Sequence, residues 1–534
     1  MKYLITNIKT LFITAVTFIA ALTMFSSCEK DVIDLSPVDK MTDQTSFETP
    51  NRVELAVVGV YDAAQSGYYK GNDARRGYPF GAASIIQSEM RGQDLMNMQS
   101  FYLTTYKSTY DPTSPNNVSM WENSLAAINR SNVVRVGVEG ALKNSVINQN
   151  LANQYIGECL FIRALTYSNL LIHFCLPYGV EGNNNYGLPY YENPANSMES
   201  LTSNVEIGRL SLVETYNKIL ADLDKAESLL PNKIAVNGIT RASKGAAIAL
   251  KSRLYLWKKD YNKSIAEAAK LVSGTVAFTS PIGGYSLTAD PATPFTSFAN
   301  NTESIFSIEN SGDDNSTVNG SLAQMMSTRD GGRQLIAVSP FLYNAKEWLP
   351  NDLRRKELLM KSSSGIWFAD KYRKPVEQDE YAPIIRYAEV LLNYAEALVR
   401  NNGDKTLALN LLNAVRNRSV LTPEDQFTAN SFANNTELLK AILWERRIEL
   451  FAEGRRWEDI HRLINDPIFD TKGIPAKTSP SKVKDAHYVI GGDVPSTLYL
   501  SSPIPYTDKR FLWPISQDDI IRNPTLAKQQ NAGW

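Results

Sequence analysis

Apolar residues recur at helical spacing along most of the chain. From Met120 to Val136 the positions Trp121, Leu125, Ile128 and Val133 share one face of a predicted helix. Leu151 to Cys175 is a longer run, rich in Leu, Ile, Phe and Ala. It stops before Pro177, as helices do where a proline ring crowds the preceding residue. Ser211 and Glu214 have the spacing of a capping box, in which each side chain satisfies the other residue's free N–H. The helix they start lines up Tyr216, Ile219, Leu220, Leu223, Ala226 and Leu230 before Pro231 ends it.

Two later segments read as helix–turn–helix units. Residues 241–274 turn at Lys259-Asp260-Tyr261, and residues 384–418 turn at Gly403-Asp404. The second carries Ala408 four residues after Asp404, and the Gly-Asp-x-x-x-Ala spacing matches tetratricopeptide repeats, where a small residue lets paired helices approach closely. In the first unit Ser264 takes the place of that alanine. Two units are too few for a free-standing solenoid, so a larger fold must hold them. Thr436 to Leu463 adds a further helical pair around Gly454. Between these blocks run long stretches rich in Gly, Asn, Ser and Tyr: 66–115, 178–210, 280–333 and 465–503. Loops of that length commonly carry function, and Ser304 to Ile308 reads as a short strand inside one of them. The predicted fold class is mostly α, with few short strands.

The N-terminus is set apart from this body. Lys2 and Lys9 precede the uncharged apolar run Leu11 to Phe25, which is shorter than the roughly 20 residues a spanning helix needs. Phe25-Ser26-Ser27-Cys28 then has the pattern of a lipoprotein signal. Residues 1–27 are read as a signal peptide, Cys28 as the lipidated mature N-terminus and 28–40 as a polar tether. Cys159 and Cys175 fall in one predicted helix, where sixteen residues of rise separate them by roughly 24 Å. A disulfide needs Cα atoms within about 7 Å, so both are expected to be buried thiols. Lys and Arg number 55 against 56 Asp and Glu, a balance that gives no reason to expect nucleic acid as a partner. Length alone suggests about three or four domains.

Catalytic patterns are missing from the chain. His173, His461 and His487 are the three histidines, and none has Cys or His neighbours at metal-ligand spacing. No P-loop, dinucleotide-binding glycine fingerprint or GxSxG elbow occurs. Glu445 and Glu449 stand at i and i+4, but Arg446 and Arg447 between them point to a salt-bridged structural helix. The Asp/Asn-rich loop 312–315 is too short to define a calcium site. No catalytic residue, cofactor or metal is expected.

Nine blocks in order carry a resemblance. They begin with Asp34-Leu35-Ser36-Pro37 and Ala56-Val57-Val58-Gly59-Val60-Tyr61, and continue through Trp121 to Asn132, Glu158 to Phe174, Val213 to Pro231 and Ala242 to Ala247. Tyr387 to Ala397 follows, then Trp444 to Leu450 with Gly454-Arg455-Arg456-Trp457, and Leu512-Trp513-Pro514-Ile515 with Asn523-Pro524. Together they resemble the SusD/RagB family of Bacteroidota outer-membrane lipoproteins over nearly the whole chain. The resemblance implies one domain over residues 41–534, overriding the length-based estimate, with tetratricopeptide-like pairs as scaffold and loop-rich regions to one side. It also implies a partner, a SusC-like TonB-dependent transporter, and a glycan ligand, or an oligopeptide as in the RagB branch. A structural adaptor is a third reading.

The composition fits binding. Flat rings stack on sugar faces, while carboxylates and amides fix hydroxyls. Tyr68, Tyr69, Tyr78, Phe80, Phe101, Tyr102, Tyr106 and Tyr110 stand close to Glu89, Arg91, Asp94 and Asn97. Expected ligand contacts are Glu89, Asp94, Phe101, Tyr102 and Tyr106, with Trp348 and Trp367 from the middle of the chain. The alternative is that these rings pack the loops against the helices. Trp121, Trp257, Trp444, Trp457 and Trp513 are expected in the core.

Overall fold

A computed structural model describes residues 45–67, 75–182, 185–234, 238–274 and 277–534. The signal segment, Cys28, the tether, Tyr68 and Tyr69 lie outside the described residues. The main helices are α1 (Pro50–Gln65), α2 (Ala82–Arg91), α3 (Pro115–Lys143), α4 (Gln149–Phe174), α5 (Leu212–Leu229), α6 (Lys244–Trp257), α7 (Tyr261–Leu271), α8 (Tyr387–Arg400), α9 (Lys405–Arg416), α10 (Asn435–Glu449) and α11 (Arg455–Arg462). They pack largely in chain order: α1 on α3, α3 on α4, then α5, α6, α7 and α8, which takes both α9 and α10. One continuous hydrophobic cluster extends from Val53 on α1 to Leu526 near the C-terminus.

The helix starts are those the sequence marks. Ser211 Oγ accepts the Glu214 N–H at 3.1 Å and the Glu214 carboxylate accepts the Ser211 N–H at 3.0 Å, closing the capping box. Asp260 caps α7 through the Lys263 N–H, and Asp404 caps α9 through the Leu407 N–H. Ala408 is fully buried, and so is Ser264. The latter keeps its hydroxyl satisfied by donating to the Ser252 carbonyl at 3.0 Å, while the Ser252 hydroxyl donates to the Ser264 carbonyl at 3.1 Å. Cys159 and Cys175 are buried free thiols.

Helix α2 departs from the expected loop over 66–115. All ten of its residues are buried, including Gln87, Ser88, Glu89 and Arg91. Its polar residues Ser84, Gln87, Ser88 and Arg91 do fall at helical spacing, but that face is covered by protein and not by solvent. Short antiparallel strand pairs follow: β1 (Leu95–Asn97) with β3 (Ile336–Val338), β2 (Ser304–Ile308) with β6 (Ala382–Arg386), and β4 (Leu359–Lys361) with β5 (Trp367–Ala369). Strand β6 runs directly into α8 and so ties the loop-rich middle to the second helix–turn–helix unit.

Buried ions reinforce that tie. Arg386, at the end of β6, donates to Glu303 beside β2 at 2.5 Å, to Glu449 on α10 at 3.0 Å and to Glu453 at 2.8 Å. Arg354 meets Asp352, Glu445 and Glu449, and Arg418 meets Glu303 and Glu449. Glu445 and Glu449 are salt-bridged as expected, but to arginines from distant segments. The interleaved Arg446 and Arg447 turn away, to Asp459 with Glu458 and to Asp94 respectively. One helix thus sends its acids to one side and its bases to others. Burial opposes ionisation of Glu449, yet the surrounding Arg418, Arg386 and Arg354 hold it well below the usual carboxylate range.

Candidate functional site

The expected ligand contacts separate by burial. Glu89, fully buried on α2, accepts the Gly454 N–H at 2.8 Å. Burial, reinforced by the neighbouring Asp94 carboxylate, pushes it up to about 8. Asp94 is also buried and chelates Arg447, whose Nε lies 2.9 Å from Oδ2. Burial alone would raise Asp94, but Arg447 and Arg456 hold it below the usual range. Tyr102 and Tyr106 are each about 1% exposed, and the Tyr106 hydroxyl donates to the Thr478 carbonyl at 2.8 Å. Trp348 is fully enclosed, with the Arg355 guanidinium 4.6 Å above its ring and Phe451 at 5.4 Å.

These five side chains meet protein on all sides. Asp94 is held by its ion pair with Arg447 and the Tyr106 hydroxyl by an internal acceptor, whereas Glu89 Oε2 and Trp348 Nε1 have no partner among the described residues. Without exposed surface they do not touch a ligand in this conformation.

Phe101 and Trp367 are different. Both are half-buried, with one part of the ring fixed and another open. Phe101 lies just beyond β1, following the exposed Gln99 and Ser100. The guanidinium groups of Arg76 and Arg333 sit 4.6 and 5.1 Å from its ring centre. Arg333 is itself anchored on Asn319 Oδ1 at 2.9 Å. Trp367 opens β5 opposite Lys361 on β4. The Lys361 ammonium lies 5.6 Å over its ring while pairing with Asp485 at 2.7 Å, and Tyr343 packs beside it at 5.1 Å, inclined by 30°.

A small hydrophobic cluster supports this region: Met96 and Ala337 from β1 and β3, Ile366 and Phe368 from the β4–β5 hairpin, and Val483 and Tyr488. Met98, Tyr343 and Trp367 pack against it from its partly exposed side. Phe101 and Trp367 thus each present a partly open ring with basic groups at its edge. Aromatic faces take sugar C–H faces, and Arg and Lys donate to hydroxyls. Arg76, Arg333, Tyr343 and Lys361 escaped the sequence reading. The β1–β3 pairing brings the segment of Arg333 to that of Phe101, whereas Lys361 meets Trp367 within the short β4–β5 hairpin, and Tyr343 shares the aromatic middle segment with Trp348.

The histidines have structural surroundings. His173 stacks on Trp513 at 4.4 Å, and His461 lies parallel to Phe511 with Nε2 2.8 Å from the Cys175 carbonyl. Burial drops His461 to about 3, so both ring systems serve the packing of the Leu512-Trp513-Pro514-Ile515 segment. Four of the five tryptophans expected in the core are there, whereas Trp444 is half-buried.

Comparison with known proteins agrees with this architecture. A family profile described as starch-binding and associating with the outer membrane matches residues 33–256, and the SusD family profile matches residues 358–534. SusD-like protein P2 from Formosa agariphila is 23% identical over 507 residues, spanning 86% of this chain and 92% of its own. A SusD superfamily protein from Bacteroides fragilis superposes with a TM-score of 0.72 at 25% identity, covering 90% of this chain and 99% of that one. A putative sugar-binding protein from Bacteroides vulgatus gives 0.70 at 22% identity, over 92% and 100% of the two chains. With both family profiles matched along the chain and the fold shared over nine-tenths of its length, the chain belongs to the SusD/RagB family.

Proposed function

We propose that this protein is a cell-surface glycan-binding lipoprotein, anchored through Cys28, that captures oligo- or polysaccharide and delivers it to a SusC-like TonB-dependent transporter. The observation that carries the reading is the pair of partly open rings, Phe101 and Trp367, each with basic neighbours. Two half-open rings flanked by Arg76, Arg333 and Lys361 are suited to holding a polyhydroxylated chain by stacking and donated hydrogen bonds. Similarity to a putative sugar-binding protein and to a starch-binding profile supports it. Catalysis by the paired glutamates has no support in the fold, since Glu445 and Glu449 are spent on buried arginines.

The test is affinity electrophoresis of the mature chain, produced without acylation, in gels containing plant, host and microbial polysaccharides. Retardation by one glycan, lost in the Phe101→Ala/Trp367→Ala double variant with unchanged far-UV circular dichroism, is the expected result. Retardation that survives the double variant keeps glycan binding and moves the site. Binding confined to an oligopeptide mixture, followed by calorimetry, would replace the glycan by a peptide. No binding to either would favour an adaptor built on the helix pairs.

A further inference from the structure

Between α9 and α10 lies a groove of about 420 Å³, far in sequence from Phe101 and Trp367 and within the size range of small-ligand sites, roughly 300–1,000 Å³. Trp444 and Phe427, both half-buried, contribute its aromatic walls. Trp444 is fixed by the Arg447 guanidinium at 4.5 Å, and Phe427 by Phe432 at 4.8 Å.

The unusual member is Arg416. It is 5% exposed and lies 4.4 Å over the Phe427 ring. Among the described residues its guanidinium donates one hydrogen bond, from Nη1 to Glu445 at 3.3 Å, and that carboxylate is already held by Arg354 at 2.6 Å. Arg416 Nε is buried with no acceptor among the described residues. Arg386, equally buried, donates five hydrogen bonds. A buried guanidinium with most of its donors unused is costly unless something else accepts from it. At the mouth of the groove stand the exposed Lys346 and Lys440, neither with an ion-pair partner among the described residues, and the half-buried Glu347. Positive charge therefore exceeds negative around the aromatic walls.

We infer that this groove is a second subsite, selective for a carboxylated sugar residue. The pyranose face lies along Trp444 and Phe427. Its carboxylate, planar and with two acceptor oxygens, matches the unused donors of Arg416 and the two lysines. The inference rests on the glycan reading and adds a substrate class to it, acidic saccharides.

The probes are oligogalacturonate, oligoglucuronate and oligomannuronate, the methyl-esterified oligogalacturonate as the uncharged counterpart, and an aspartate-rich peptide. Binding to the mature chain is followed by titration calorimetry. The expected result is that at least one oligouronate binds, and that esterification weakens it at least about tenfold. Lys440→Glu and Trp444→Ala should each weaken it by a similar factor. Arg416→Met should abolish it, but Arg416 is buried, so the surface variant Lys440→Glu carries the decision. Binding that ignores esterification, survives Lys440→Glu and Trp444→Ala, or is matched by the peptide overturns the inference. So does failure of all three oligouronates, while retardation in neutral-glycan gels would still leave the broader glycan reading standing.

Discussion

Glu89 accepts the Gly454 N–H with one oxygen, and its other oxygen has no partner among the described residues. Folding raises its pKa from 4.5 to about 8, so between those values the folded chain binds more protons than the unfolded one. Stability from this group is complete below about pH 4.5 and is lost as pH rises through about 8. Glu89→Gln keeps the acceptor for Gly454 and removes the titration. Wild type should therefore lose on the order of a few kcal/mol relative to the variant between pH 5 and 8, read as the gap between melting temperatures across that range. His461 works in the opposite direction: with its pKa lowered to about 3, its contribution is present above about pH 6.5 and lost as pH falls. From the sequence, Glu89 and Asp94 of the Glu89-Met90-Arg91-Gly92-Gln93-Asp94 segment are expected among the ligand contacts. Their burial depends on Gly454 and Arg447, more than 350 positions along the chain, which no local pattern reveals.

The helix pairs show where the sequence is legible. A capping box, a closing proline, turn residues and a small residue at the point of closest approach are local signals: Ser211 caps its helix as expected, the turns expected at Asp260 and Asp404 are where α7 and α9 begin, and Ala408 is buried. Ser264 tests whether volume or chemistry matters there. Ser264→Ala should change stability by less than about 1 kcal/mol, since volume is nearly conserved, whereas Ser264→Leu forces α6 and α7 apart and should cost about 1–3 kcal/mol. Urea unfolding measures both. The same local logic missed α2, whose polar residues are buried by elements distant in sequence. It also made Trp348 a ligand contact and Trp444 a core residue, whereas Trp348 is fully buried and Trp444 half-buried. An indole looks the same in either setting, and only the surrounding elements decide.

Across the whole molecule the loop-rich middle and the last helical pairs are joined by charge as well as by apolar contact. Arg386 lies at the centre, shared among Glu303, Glu449 and Glu453. Arg386→Met removes one cation from several buried carboxylates and should destabilise the fold by about 3–5 kcal/mol. Because these groups are shielded from solvent, the loss should hardly change between low and high salt, as denaturation at two ionic strengths would show. The arrangement also bears on how such a scaffold can diverge. A single substitution inside the ion network strands a buried charge, so the network resists change one residue at a time. Phe101 and Trp367, by contrast, are half-buried rings outside that network, and can be exchanged singly at little cost to folding. A lineage built on this frame is free to explore new nutrients at its rim while its interior stays fixed.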